Sequence, residues 1–506
     1  MERESLYAAI CANPRDDLPK LVFADWLDEH GDAVDRAHAE LIRIQCEWET
    51  DAMTSERAVE PYRIEEDGDL LLASAKLAKS DPEAAHALAL LIRAAELENV
   101  AKTRPLVELP VVPGASFRFA GRISGMRTEL QITRRRAWEE HLAQIAKLIP
   151  MRELDINPAR YNGDGAWPSD TGDPVTLGNI ESLTSTTNEI SFLNHLIASP
   201  ELNRLKRLTT LQNPAETDLY TILERSDHLG ELEELVLSRH HAPQARSVPA
   251  FHPNIVRNLR GLRVGAKSGN YPGLPLILPF SDGSGSRLEE LLLRYTSDTD
   301  DSAGILGRGE VAGSTLVKLA LPNGQLTARG ACDLLASESL PALRQLDVSG
   351  NALGDLVGKR LQRARDYPEL HALALGDAQL STDGISALAH WPGFAGLRKL
   401  VLDGNPLNHR AAAALSSVEA PNLRALGLAN CELHGSHVRE LVTSRFVRSL
   451  WTLDLRGNAF DDAFARALLD TPMLDGLQCL LLDVPEGNPM AERLKAHFGD
   501  RFRPSA

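Results

Sequence analysis

The side chains best suited to chemistry occur in a few short runs. Asp25, Asp28, Glu29, His30 and Asp32 form the densest ligand-capable group, and carboxylates with one imidazole suit several divalent ions. On a helix, however, Asp25 and Glu29 share one face while Asp28 and Asp32 lie on another, and the loop lacks EF-hand spacing. An ion-paired or solvated acidic surface is therefore expected. His240-His241 and His434…His437 each fall in a turn after a strand, without a Cys or acid at a defined spacing, so a loop role is favoured over catalysis. SDGSGSR (281–287) has neither G-x-S-x-G nor Walker-A spacing and reads as a loop. Arg134-Arg135-Arg136 reads as the solvated start of a helix. The five cysteines (Cys11, Cys46, Cys332, Cys431, Cys479) are far apart, lack C-x-x-C spacing and leave at least one unpaired, which fits a reducing compartment. With no assignable nucleophile–base pair, neither catalysis nor a bound metal or cofactor is expected.

Length then widens the view. A chain of 506 residues exceeds one ordinary domain several-fold and points to several domains or a repeat array. The formal net charge of −16 argues against a dedicated nucleic-acid binder, whose affinity rests on neutralising phosphates. Residues 1–60 hold 15 acids against 6 bases, so the acid is concentrated at the front. MERESLYAAICANP is acidic and amphipathic, unlike a secretory leader. No uncharged apolar run reaches the length of a membrane span.

A repeat organises the rest. LRQLDVSGNAL (343), LHALALGDAQL (370), LRKLVLDGNPL (397), LRALGLANCEL (423) and LWTLDLRGNAF (450) all fit L-x-x-L-x-L-x-x-N/C-x-L, with Asn351, Ala378, Asn405, Cys431 and Asn458 in turn at the N/C position. Weaker copies start at 477, and upstream at 316, 288, 259, 232, 205, 180 and 151. Two Leu residues set two apart point to one side of a short strand, and the residues between them point to the other. The Asn side chain can bond the backbone of a buried bend. Ser381, Thr382 or Asp383, and later Asp461 or Asp462, can cap a following helix. Pro341, Pro368, Pro392, Pro421 and Pro472 fall where each helix must stop. One coil cannot bury its own Leu face, so stability requires stacked neighbours. Residues 151–485 resemble a leucine-rich repeat array of about 13 repeats, and the 26–29 spacing resembles the ribonuclease-inhibitor-like class. The fold implied is an α/β solenoid in horseshoe form, parallel strands inside and helices outside, preceded by a small all-α domain.

The flanks are expected to close that stack. RRRAWEEHLAQIAKLI places Trp138, Leu142, Ile145 and Ile149 on one stripe and reads as a cap helix preceding the first strand. SFRFAGRIS and ELQIT read as a β-hairpin before it. AERLKAHFGDRF (within 486–506) offers Leu494 and Phe498 as a closing face. In residues 1–50, LPKLVFADWLDEHGD puts Leu18, Leu21, Val22, Trp26 and Leu27 on one face, and RAHAELIRIQCEW turns Leu41, Ile44 and Trp48 inward. The NP-DDLP, ADWL-EHGD and AELIR-Q elements resemble the repeat-companion domain of planctomycetes and myxobacteria, which implies genomic context rather than chemistry. Residues 51–80 read as a polar connector, and 81–150 as helix, hairpin and cap.

The remaining functional candidate is a surface. Template positions between the Leu residues should face the concavity: Glu234, Glu290, Arg294, Lys318, Gln345, Asp347, Lys399, Asp403, Asp454, Arg456 and Asp483. Coils 370 and 423 offer only small residues there (Ala372, Ala374, Gly376; Ala425, Gly427, Ala429), leaving room for a partner's side chains. The expectation is a cytoplasmic, monomeric, non-enzymatic scaffold or adaptor for a protein partner, with no nucleic acid and no membrane. The alternative is a regulator of a small GTPase, resembling known activating proteins built on similar arrays, or an inhibitor of a partner enzyme.

Overall fold

Every one of the thirteen template starts lies two residues before a strand. The computed structural model describes residues 2–50, 58–59, 81–106, 109, 111–113, 115–118, 126, 129–133, 135–157, 177–186, 190–210, 217–240, 251–266, 273–281, 285–297, 299–311, 315–335, 339–363, 369–485 and 487–504. The polar connector lies outside them apart from 58–59, as do His241, Arg134, Pro368 and the loop 282–284. The chain divides into two units, Met1–Leu262 and Arg263–Ala506, and the division falls within β7 (Gly261–Ala266).

The first unit opens with helices α1 (Glu2–Ala12), α2 (Asp17–His30), α3 (Ala33–Thr50) and α4 (Pro82–Ala101). Asp16 caps α2 by accepting from the Leu18 N–H at 3.0 Å, and Asp81 caps α4. Gly31 ends α2 in extended backbone; it is needed for closeness, because a Cβ there would overlap Asp35. Ile10, Phe23, Ala24, Leu27, Ala39, Ile42, Cys46 and Met126 form the helical core. Leu41, Ile44 and Trp48 are buried as expected. The expected inward face of α2 is only partly the buried one: Leu27 is buried and Trp26 packs against the core, but Leu18, Leu21 and Val22 are exposed, while Lys20, Phe23 and Ala24 are buried in their place. Two stripes of α2 carry enough apolar surface. The one with Phe23 edge-on to Tyr7 and with the small Ala24 packs inward. The Lys20 stem is buried with it, and its ammonium reaches Asp17 at 2.8 Å.

The ladder of this unit runs β1 (Ala115–Arg118), β2 (Glu129–Ile132), β3 (Glu153–Ile156), β4 (Ser182–Ser185), β5 (Arg207–Thr210), β6 (Glu234–His240) and then β7. β1 and β2 are antiparallel, as the hairpin reading expects. Yet β2 also pairs in parallel with β3, so α5 (Arg135–Ile145) lies between two ladder strands rather than ahead of the first one. ELQIT was legible as a strand, but its second partner comes from residues 153–156 and is set by stacking alone. Helices α6 (Ile190–Ile197), α7 (Thr217–Arg225) and α8 (Pro253–Asn258) follow β4, β5 and β6.

In the second unit β8 (Glu290–Arg294), β9 (Lys318–Ala320), β10 (Gln345–Asp347), β11 (Ala372–Ala374), β12 (Lys399–Val401), β13 (Ala425–Gly427), β14 (Thr452–Asp454), β15 (Cys479–Leu482) and β16 (Phe502–Pro504) are parallel neighbours. Helices α9 (Leu274–Ile277), α10 (Thr299–Gly307), α11 (Ala328–Leu335), α12 (Leu356–Arg363), α13 (Thr382–Ala389), α14 (His409–Ser416), α15 (Gly435–Val442), α16 (Asp462–Leu469) and α17 (Pro489–Phe498) alternate with them. Ser381 and Asp461 are the caps of α13 and α16. Leu291, Leu319, Leu346, Leu373, Leu400, Leu426, Leu453 and Leu480 stand opposite one another in unbroken register, all buried. Each contributes about 1.5–3 kcal/mol of burial. Leu494 and Phe498 close this core as expected, and β16 adds a strand the template does not show.

The Asn positions explain why the template alternates. Asn405 donates to Leu402 O of its own coil (2.9 Å) and Leu375 O of the coil before (2.8 Å), and accepts from Leu380 N (2.9 Å). Asn351 and Asn458 repeat the pattern toward Leu321 O and Leu428 O. Each Asn satisfies two coils, so the intervening coil can carry Ala378 or Cys431 without leaving a buried group unpaired.

Candidate docking face of the strand ladder

Strand pleating fixes which side chains leave the Leu core. In the second unit Glu290, Lys318, Gln345, Ala372, Lys399, Ala425, Thr452 and Cys479 are register partners in one column. Two residues on, Leu292, Ala320, Asp347, Ala374, Val401, Gly427, Asp454 and Leu481 form the next. Arg294, Asp403, Arg456 and Asp483 follow at strand ends. Ten of the eleven expected face residues thus share one ladder, while Glu234, in the first unit, stands opposite Arg207 and accepts its Nε at 2.8 Å.

These residues differ in what they are free to do. Arg294, Lys399 and Arg456 are exposed, and Lys318, Gln345, Asp347 and Asp483 half-buried. Glu290 is only 5% exposed and holds Arg263 at 2.9 Å, and Asp454 is likewise buried, forking Arg456 (Nε–Oδ1 2.9 Å). That fork, with the nearby acids, raises the affinity of Arg456 for its proton. Asp347 accepts from Ser349 N at 2.9 Å, and Asp483 from Gly457 N at 2.6 Å. Asp403 accepts from Ala429 N at 2.8 Å, yet burial and then Asp454 and Asp377 push its carboxyl above the usual range. Gly427 of β13 is favoured by this packing, since a Cβ there would meet the Asp403 carboxylate. Gly404, in the left-handed region (φ +71°), sits where a Cβ would overlap the Asp377 carboxylate.

Two features beside this face escape the template reading. Tyr295, 39% exposed with φ +60°, follows Arg294 directly. Just before the strands stand Arg344, His371, Arg398 and Arg424, one per coil, with the Arg424 guanidinium 5.3 Å from the Trp451 ring centroid. Their signal was present as the second template letter, R, H, R, R and W in successive repeats.

The other candidates resolve differently. Arg43 bridges Asp25 and Asp28, both at 2.7 Å, and Arg104 pairs with Asp32 and Asp35. The Arg104 bonds hold Asp32 down at about 2. Among the described residues no group of three or more His, Cys, Asp or Glu has metal-holding geometry. His434 caps α15, and packing of α14 brings His409 to 6.3 Å from the His437 ring and its Nδ1 to 3.0 Å from Glu440. Burial, then the neighbouring imidazoles, lower the His437 pKa. All five cysteines are free thiols, and burial pushes Cys11, Cys46 and Cys431 up to about 12, which suppresses thiolate chemistry.

A further cluster lies where the helices of the first unit meet its ladder. Arg15 Nε reaches Glu181 at 2.6 Å, and Arg152 lies between Glu181 and Glu49. Burial opposes the charge of Arg152, but the two carboxylates outweigh it and raise its pKa. Gln45 accepts from Met126 N at 2.8 Å. This network fixes the helices in place.

The fold is a leucine-rich repeat solenoid. That rests on the parallel ladder, the Leu column and the shared Asn bonds of this chain. No family model matches the sequence, and no curated protein is similar to it. Among solved structures, an internalin from Listeria monocytogenes is similar at 18% identity and TM-score 0.40, over 71% of this chain and 87% of that one. The Rad7 chain of a yeast Rad7–Elc1 complex aligns at 17% identity and TM-score 0.38, over 62% and 81%. A Bacteroides fragilis protein aligns at 14% and 0.35, over 60% and 77%. No helix among the described residues is long and apolar enough to cross a membrane.

Proposed function

We propose that the chain is a non-enzymatic protein-interaction scaffold whose docking surface is the open strand face of β8–β15. The observation that carries this reading is the in-register column Glu290, Lys318, Gln345, Lys399, interrupted by Ala372 and Ala425. Side chains held on strands lose little freedom when a folded partner docks, and exposed charges set partner choice and association rate more than affinity. Helices of eight to ten residues after each of β8–β15 support a ribonuclease-inhibitor-like class, and the packed helices at the front support a repeat-companion domain. Free thiols support a cytoplasmic setting, and the acidic balance supports a protein rather than a nucleic-acid partner; we take the working form to be a monomer.

Asp403 and Asp454 are poor test positions, because reversing them would break the Ala429 bond and the Arg456 fork. Arg294→Glu and Lys399→Glu alter exposed charges instead. A partner captured from host lysate by the full chain should be retained less well by both variants at unchanged thermal stability. Equal retention would refute the strand face as the docking surface.

A further inference from the structure

Leu18, Leu21 and Val22 of α2 are 66%, 37% and 43% exposed, and account for three of the eight large exposed hydrophobics found among the described residues. They belong to one stripe. Positions 18, 21, 22, 25 and 29 follow i, i+3, i+4, i+7 and i+11 spacing, and all five are exposed. The first half is aliphatic and the second acidic, Asp25 and Glu29, with Asp28 alongside. The only lysine of α2, Lys20, is buried and held by Asp17. Arg43 of α3 offsets part of the charge at Asp25 and Asp28 and leaves an excess of acid.

The helix cannot roll to hide the stripe. Phe23, Ala24 and Leu27 are fully buried behind it, and Arg15 just ahead is paired to Glu181. A clustered apolar patch on a fixed helix, continued by acid, has the pattern of a helix-contact surface.

We propose that this stripe docks an amphipathic helix of a partner protein, with aliphatic residues at one end of its contact face and Lys or Arg further along. From Leu18 to Asp25 and to Glu29 the rise is about 10 and about 16 Å, so the cations belong two to three turns from the aliphatic end. A second copy of this chain offers no lysine or arginine on the stripe to meet Asp25 and Glu29, and an anionic lipid surface would be repelled. The site lies in the first unit and is independent of the strand-face reading.

The test uses two synthetic helical peptides with the same aliphatic residues, one carrying Lys and the other Glu at positions matched to Asp25 and Glu29. Binding to the full chain is read by fluorescence anisotropy. The Lys peptide should bind at least about tenfold tighter than the Glu peptide. Leu18→Ser and Val22→Ser should each weaken it about tenfold at unchanged melting temperature, Glu29→Lys should narrow the preference, and Arg294→Glu with Lys399→Glu should leave it intact. Equal binding of the two peptides, or indifference to Leu18→Ser and Val22→Ser, overturns the proposal. So does loss of binding in the strand-face variants, or a homodimer that Leu18→Ser dissociates.

Discussion

Asn405→Ala is the most direct test of how the array is held together. Asn405 is fully buried, and its removal leaves Leu380 N–H and Leu375 O without the partners they have at 2.9 and 2.8 Å. Leu402 O keeps a bond from Asn405 N, so two groups rather than three are orphaned. At about 1–3 kcal/mol for each buried unsatisfied group, the expected loss is about 2–6 kcal/mol. The comparison is Cys431→Ala at the equivalent place one coil on. There the backbone N–H of Cys431 is served by Asn458 at 3.0 Å, and the thiol makes only long contacts to Leu402 O and Ala429 O. That variant should cost about 1 kcal/mol. Urea unfolding followed by circular dichroism gives the difference, and hydrogen exchange at the Leu380 amide shows where it acts. If the two variants agree within about 0.5 kcal/mol, the sharing of one Asn between two coils is wrong.

Glu181→Ala should destabilise the first unit by about 2–4 kcal/mol, because it leaves the largely buried Arg152 with Glu49 alone and releases Arg15; Arg43→Ala, removing exposed pairs, should cost under about 1 kcal/mol. Similar denaturation midpoints for the two would refute a fixing role for the network. Asp403→Asn should raise the melting temperature at pH 7. The folded carboxyl is shifted upward, so its stabilising contribution is complete below the unfolded carboxylate pKa and is lost as pH rises through the folded value. The amide still accepts from Ala429 N–H, and the gain should vanish at pH 3; a gain of equal size at both pH values would show that ionisation is not its source.

The sequence by itself determined the repeat, its register and its helix caps, because Leu spacing along a strand and side-chain capping are local properties. Even the degenerate starts at 151, 205 and 259 lead into β3, β5 and β7. It also supplied the residues of the strand face, since pleating alone assigns sides. Only tertiary structure decided which template positions were already engaged. Glu290 and Asp454 read as solvent-facing charges, yet they are buried against Arg263 and Arg456. It also decided which stripe of α2 packs inward. Leu18, Leu21 and Val22 satisfy the helical period as well as Phe23, Ala24 and Leu27 do, and the choice between them is made by packing against α1 and α3, which the spacing within α2 does not show. The joining of β2 to the ladder and the His409–Glu440 contact have the same origin: each partner lies a coil away in the chain, where local periodicity carries no information.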